Sequence, residues 1–163
     1  MVAMKARTRT AAKPDSRART GMSRTKKPWS EKLRPEMKPE VVKDRKAGAL
    51  LLLPTPMGLA AEIAAVPKGT VCTMSELRDR MARKHGAARA CPLMTGIFFN
   101  IVAGAAEDQL AAGEEPLAPY WRIVRDNRSL SPKTPMGPAR QAEHLRAEGI
   151  RVDRESFVVA ADC

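Results

Sequence analysis

The sequence predicts an α+β domain of the winged helix-turn-helix-like kind, preceded by a disordered basic N-terminal arm. Three observations predict it. Positive charge is concentrated at the N-terminus, two helix-forming segments are joined by a short glycine-containing turn, and strand-prone segments follow those helices.

Charge sets the boundary. Residues 1–46 hold 15 Lys and Arg against 5 Asp and Glu, a net of +10, whereas residues 47–163 hold 14 against 13, a net of +1. The arm also contains Pro14, Pro28, Pro35 and Pro39 and few large apolar residues. Burial there cannot offset the entropy of ordering. The expected organisation is therefore a mostly disordered arm over 1–46 and one folded domain over 47–163. A solvated basic arm attracts polyanions, nucleic acid foremost. A solubility tail fits the same composition. An organelle presequence fits less well, because the prolines interrupt any amphipathic stripe.

No apolar run approaches the roughly 18 residues that cross a membrane. The longest, Ala49 to Leu53, has the length of a strand, so no membrane partner is expected. Cys72, Cys91 and Cys163 are odd in number and widely spaced, which argues against a disulfide framework and for a reducing compartment. The expected state is a cytoplasmic monomer, associated with the nucleoid if the cell is bacterial.

Leu50 to Leu53 reads as a short buried strand ended by Pro54-Thr55-Pro56. Met57 to Val66 is a helix with Leu59, Ile63 and Val66 at helical spacing. After the Pro67-Lys68-Gly69 turn, Thr70 to Cys72 suits a brief strand. Thr73-Met74-Ser75-Glu76 is a capping box, which starts a helix over Met74 to about Lys84 and buries Met74, Leu77 and Met81. His85-Gly86-Ala87-Ala88 stops it. Pro92 then opens a long apolar helix with a stripe of Leu93, Ile97, Ile101 and Ala105, widened by Phe98 and Val102. Two helices so joined outline a helix-turn-helix, and a plain helical hairpin in a core fits the same pattern. Beyond the acidic Glu114-Glu115 loop, Tyr120 to Val124 has strand propensity, with a turn at Asp126-Asn127 and a return at Ser129-Leu130. Gly137-Pro138 opens a last helix with Ala142 and Leu145 inside, and Phe157 to Val159 suits a closing strand.

Several segments carry a resemblance. VPKGTVCTMSEL (66–77) resembles the entry to the helix-turn-helix of the alkylguanine-DNA methyltransferases. PYWRIV (119–124) lies where that family has its Pro-Cys-His-Arg-Val active-site strand, and LRAEGI (145–150) resembles the family's Leu-x-x-Glu-Gly-Val ending. The likeness covers roughly residues 50–150, in the family's order. WSEKL, KHGAARACPLMTGIF and PYWR also resemble a bacterial branch of the same superfamily.

The resemblance implies a DNA-binding domain without the family's chemistry. The alkyl-accepting cysteine is replaced by Tyr120 and the neighbouring histidine by Trp121, while Arg122 and Glu148 remain. Neither a phenol with a pKa near 10 nor an indole replaces a thiolate–imidazole pair at neutral pH. The expectation is no catalytic residue and no enzyme. The alkyltransferase-like proteins, which lack the cysteine yet bind and flip alkylated guanine, are the nearest kind, although they retain the histidine that Trp121 replaces here. The resemblance implies a base pocket of Tyr120, Trp121, Met74 and Glu148, with Met74 standing where the family has a tyrosine. Adjacent aromatic residues on a strand are equally often core and rim.

Arg89 falls within one residue of the arginine that the family inserts into the vacated base stack, and an ordinary phosphate contact fits it as well. Thr95 and Gly96 would give the small side chains that let a helix approach a minor groove closely, with Met94, Arg122, Arg125 and Arg128 as further DNA contacts. Asn100 resembles the family's hinge asparagine, but 18 residues separate it from Pro119, so that role is not carried over. The stretch Ala106 to Ala118 is expected to lengthen the recognition helix and add the acidic loop.

Cys72, His85, Cys91 and His144 lack the CxxC or HxxxH spacing of a metal site, and no cofactor motif is present. Cys91 stands at a helix start, where the dipole favours a thiolate, and a small buried cysteine is the commoner outcome. The expected partner is double-stranded DNA, with other repair proteins to receive the lesion. Two alternatives remain: a residual DNA alkyltransferase using a different cysteine, and a nonspecific nucleic-acid binder.

Overall fold

Two elements among the described residues lie inside the stretch expected to be a disordered arm. The computed structural model describes residues 27–160. The rest of the expected arm, residues 1–26, lies outside the described residues, as does Cys163. Trp29–Leu33 form a 3₁₀ turn, and Glu40–Lys43 form strand β1. β1 pairs antiparallel with β2, Leu50–Leu53, in the register Glu40↔Leu53 to Lys43↔Leu50. The boundary expected at Ala47 therefore moves earlier. Charge and proline hid this strand because its four side chains are exposed and main-chain pairing alone holds it.

The first helix, α1, spans Pro56–Ala64. The Thr55 hydroxyl accepts from the Gly58 amide at 3.0 Å, and Pro56 supplies a first residue that has no amide to satisfy. Leu59, Ala60 and Ile63 are buried. β3, Cys72–Thr73, leads into α2, Met74–Lys84. Both halves of the capping box form: the Glu76 amide donates to the Thr73 hydroxyl at 3.2 Å, and the Thr73 amide to Glu76 Oε2 at 2.8 Å. Gly86 takes φ +68° beyond the end of α2, a conformation that disfavours a side chain. The link to the next helix holds an unexpected strand, β4, Arg89–Ala90, which pairs parallel with β2.

Helix α3 runs from Pro92 to Ala111, 20 residues, with the acidic loop beyond it as expected. Its buried face follows the expected stripe only in part: Val102 and Ala105 are buried as expected, but the two N-terminal members are not. Leu93 is 71% and Ile97 50% exposed, whereas Thr95, Phe99, Val102, Ala103 and Ala106 are buried. The helix is apolar nearly all round, so periodicity could not select the face. Trp29 lies against Gly104, where an added Cβ would overlap the indole. The Trp29–Leu33 turn thus helps to cover α3.

Tyr120–Arg122 form a 3₁₀ turn rather than the expected strand, and only Ile123–Val124 make a strand, β5, parallel to β3. Tyr120 and Trp121 are both buried, which the alternation of a strand with one covered face does not allow. α4 spans Gly137–Ala147 and buries Ala142 and Leu145 as expected. The expected closing strand reduces to isolated bridges, Ser129↔Val158 and Val152↔Val159.

The described residues thus form a mixed α+β fold of four helices, a three-stranded sheet ordered β1-β2-β4, and the β3-β5 pair. Leu52, Leu59, Ile63, Leu77, Val102, Tyr120 and Leu145 belong to one core. No helix among the described residues is long and apolar enough to cross a membrane.

Candidate functional site

Tyr120 and Trp121 sit in a polar network, and of the two only Trp121 borders a cleft. Tyr120 is 1% exposed, and its hydroxyl donates to Glu107 Oε1 at 2.7 Å. His144 Nε2 lies 2.6 Å from the same oxygen, and Arg140 Nε donates to Glu107 Oε2 at 3.1 Å. The Trp121 ring stacks on His144, with centroids 4.2 Å apart. Burial would raise the Glu107 carboxyl, but bonds from Tyr120, His144 and Arg140 outweigh it and hold the group below the usual carboxylate range. Burial, and then the bond to Glu107, push the Tyr120 phenol far above its ordinary value. It cannot ionise near neutrality to act as a nucleophile.

Trp121 also donates Nε1–H to Glu148 Oε1 at 2.9 Å. Arg122 Nη2 donates to the same oxygen at 2.7 Å, and Arg122 Nη1 donates to the Val66 carbonyl at 2.6 Å. The Gly69 amide donates to Glu148 Oε2 at 3.2 Å. Burial raises the Glu148 carboxyl, but bonds from Arg122, Trp121 and Gly69 bring it below the usual range. Trp121, Arg122 and Glu148 border an open cleft with Lys68 and Pro119. Their polar atoms are already engaged with one another. Arg122 therefore joins the turn after α1 to the end of α4 and is not an outward cation.

A different groove, of about 360 Å³, opens beside the first turns of α3, within the roughly 300–1,000 Å³ common for small-molecule sites. Met74, Ile97, Phe99 and Ile123 line it, with Asn100, Arg125 and Lys133 as polar groups. Of the four expected base-pocket residues, only Met74 borders it. Gly96 also borders it, and a Cβ there would meet nothing within 4 Å. Intramolecular packing does not require that glycine, although glycine inside a helix costs about 1 kcal/mol.

The remaining expected contacts divide. Arg125 borders the groove and is exposed. Arg128 takes φ +63° and donates to the carbonyl of Ala160 at 3.1 Å, so its guanidinium is engaged within the domain. Thr95 is fully buried, its hydroxyl donating to the Cys91 carbonyl at 2.7 Å, so it offers no surface. Met94 is half-buried and does not line the groove. Arg89 is half-exposed and pairs with Asp44. Neither Cys72 nor Cys91 lines the groove. Cys72 is buried, and that burial raises its thiol.

Sequence reasoning missed Glu107 as the partner of Tyr120, Arg140 and His144 as further partners of Glu107, and Lys133 at the groove. One signal existed for Glu107: it follows Ile101 to Ala106, six residues without charge, inside an apolar helix. An acid so placed needs a partner. No protein-family model matches the chain, and a search of curated proteins finds no match.

Proposed function

We propose that this protein is a non-enzymatic DNA-binding protein of the alkyltransferase-like type. α2 and α3 act as the helix-turn-helix of a winged-helix domain, with α3 toward the minor groove. The groove beside α3 receives an extruded alkylated base. A lesion so held is presented to other repair proteins rather than repaired in place.

The observation that carries this reading is the start of α3. Leu93 and Ile97 stand out to solvent where the same helix buries Val102 and Ala106, next to the cations of Arg125 and Lys133. Exposed apolar side chains rimmed by cations suit a base face held beside phosphates. The absence of a nucleophile at Tyr120, and its engagement with Glu107, support binding without transfer.

The test is a titration on matched duplexes with and without one alkylguanine, at several salt concentrations, followed by intact-mass measurement. The expected result is affinity roughly tenfold or more higher for the modified duplex, and no mass increase. Equal affinity for both duplexes leaves a nonspecific binder. A stoichiometric adduct on Cys91 or Cys72 makes the protein an alkyltransferase.

Residues 1–26 hold 8 Lys and Arg against 1 Asp, a net of +7. Deleting these residues, and not the folded 29–43 segment, is expected to weaken binding to any duplex and flatten its salt dependence. An unchanged slope of log affinity against log salt means the arm does not contact DNA.

A further inference from the structure

We propose that the β1–β2 hairpin tip is a second nucleic-acid contact, a rigid basic wing that grips the phosphate backbone of a duplex. This rests on the DNA-binding reading above and adds a surface that neither α3 nor its groove supplies.

The tip reads Lys43-Asp44-Arg45-Lys46, and its three cations are exposed. Among the described residues, none of the three has a carboxylate within ion-pair distance. The one acid is turned to structural use. Asp44 Oδ1 accepts the Lys46 amide at 2.9 Å, and Oδ2 takes the Arg89 guanidinium. The Asp44 carbonyl accepts the Gly48 amide at 2.8 Å, and Gly48 holds φ +66°, which closes the turn. The cations are thus displayed on a fixed loop, which reduces the ordering entropy lost on binding.

β2 places Leu52 in the core, whereas all four β1 side chains are exposed, so β1 adds no side chain to it. β1 pairs with β2 along its length and holds the tip at the end of the pair. Its position is fixed by β4: Arg89 pairs in register with Leu51 and stands three residues before Pro92, where α3 begins. The tip is therefore joined through Arg89 to the entry of the helix that carries the groove. A phosphate backbone suits it better than a bilayer. The tip, Lys43 to Gly48, carries no large apolar side chain to enter an interface.

The experiment uses the full chain with Lys43→Gln, Arg45→Gln and Lys46→Gln combined. The control combines Lys68→Gln, Arg151→Gln and Arg154→Gln, which removes the same charge from other exposed positions. Both are titrated against an unmodified duplex over a salt series and against phosphatidylserine vesicles. The expected result is a salt slope reduced by about three units in the hairpin variant. Its affinity at low salt should fall at least roughly tenfold further than the control's, with an unchanged melting temperature in both. A hairpin variant that tracks the control overturns the wing and leaves the DNA reading standing. Loss on vesicles without loss on duplex makes the tip a membrane contact and overturns it too. A parent chain that binds no duplex at any salt overturns both readings together.

Discussion

Glu107→Ala is expected to destabilise the protein by about 3 kcal/mol in urea unfolding followed by tryptophan fluorescence. Glu107 is the shared acceptor for Tyr120, His144 and Arg140, and its side chain is 8% exposed. Removing it leaves a buried phenol without an acceptor and opens space beside the stacked Trp121 and His144 rings. Arg140 is 39% exposed and bonds Glu143 as well, so solvent compensates much of its loss. Glu107→Gln keeps an acceptor for Tyr120 and should lose less than half as much. A change below about 1 kcal/mol for the alanine variant would show that the network does not hold the Tyr120 turn in place.

The same network fixes how stability responds to acid. Glu107 and Glu148 both stand below the usual glutamate value of about 4.3. As pH falls, the unfolded chain takes up these protons first. The stability they contribute is therefore complete above the unfolded value and is lost as pH falls through the folded values. The melting temperature should drop below about pH 4.5, and Glu107→Gln should make that drop shallower. Equal acid dependence in parent and variant would remove Glu107 from the account.

Ile97→Asp is expected to weaken duplex binding by roughly thirtyfold, since opposing a carboxylate to phosphates costs a few kcal/mol. The fold should hardly notice. Ile97 is 50% exposed, and the buried face of α3 lies elsewhere. Ile97→Ser, neutral and small, separates lost apolar contact from added charge and should retain most of the affinity. Fluorescence anisotropy on one labelled duplex measures all three chains. Parent-like binding by the Asp variant would mean that α3 does not face DNA.

What the sequence determined by itself is the set of features closed within a few residues. The Thr73–Glu76 box sets the start of α2, because both of its bonds span three residues. Pro92 and Gly137-Pro138 mark two further helix starts for the same local reason. At the site, the sequence singled out Tyr120 and Trp121, and also Met74, Gly96 and Arg125, which border the groove.

Only the tertiary structure decided the rest. Tyr120 meets Glu107 and Arg122 meets Glu148 across 13 and 26 residues, and no local pattern encodes such meetings. β1 exists because β2 offers it a main-chain edge, not because its own side chains demand burial. The outward face of α3 is the clearest case. A helix apolar on every side has no intrinsic inside, so what covers it decides. The Trp29 turn covers Gly104 while Leu93 and Ile97 stay exposed, which leaves the apolar groove at the start of the helix.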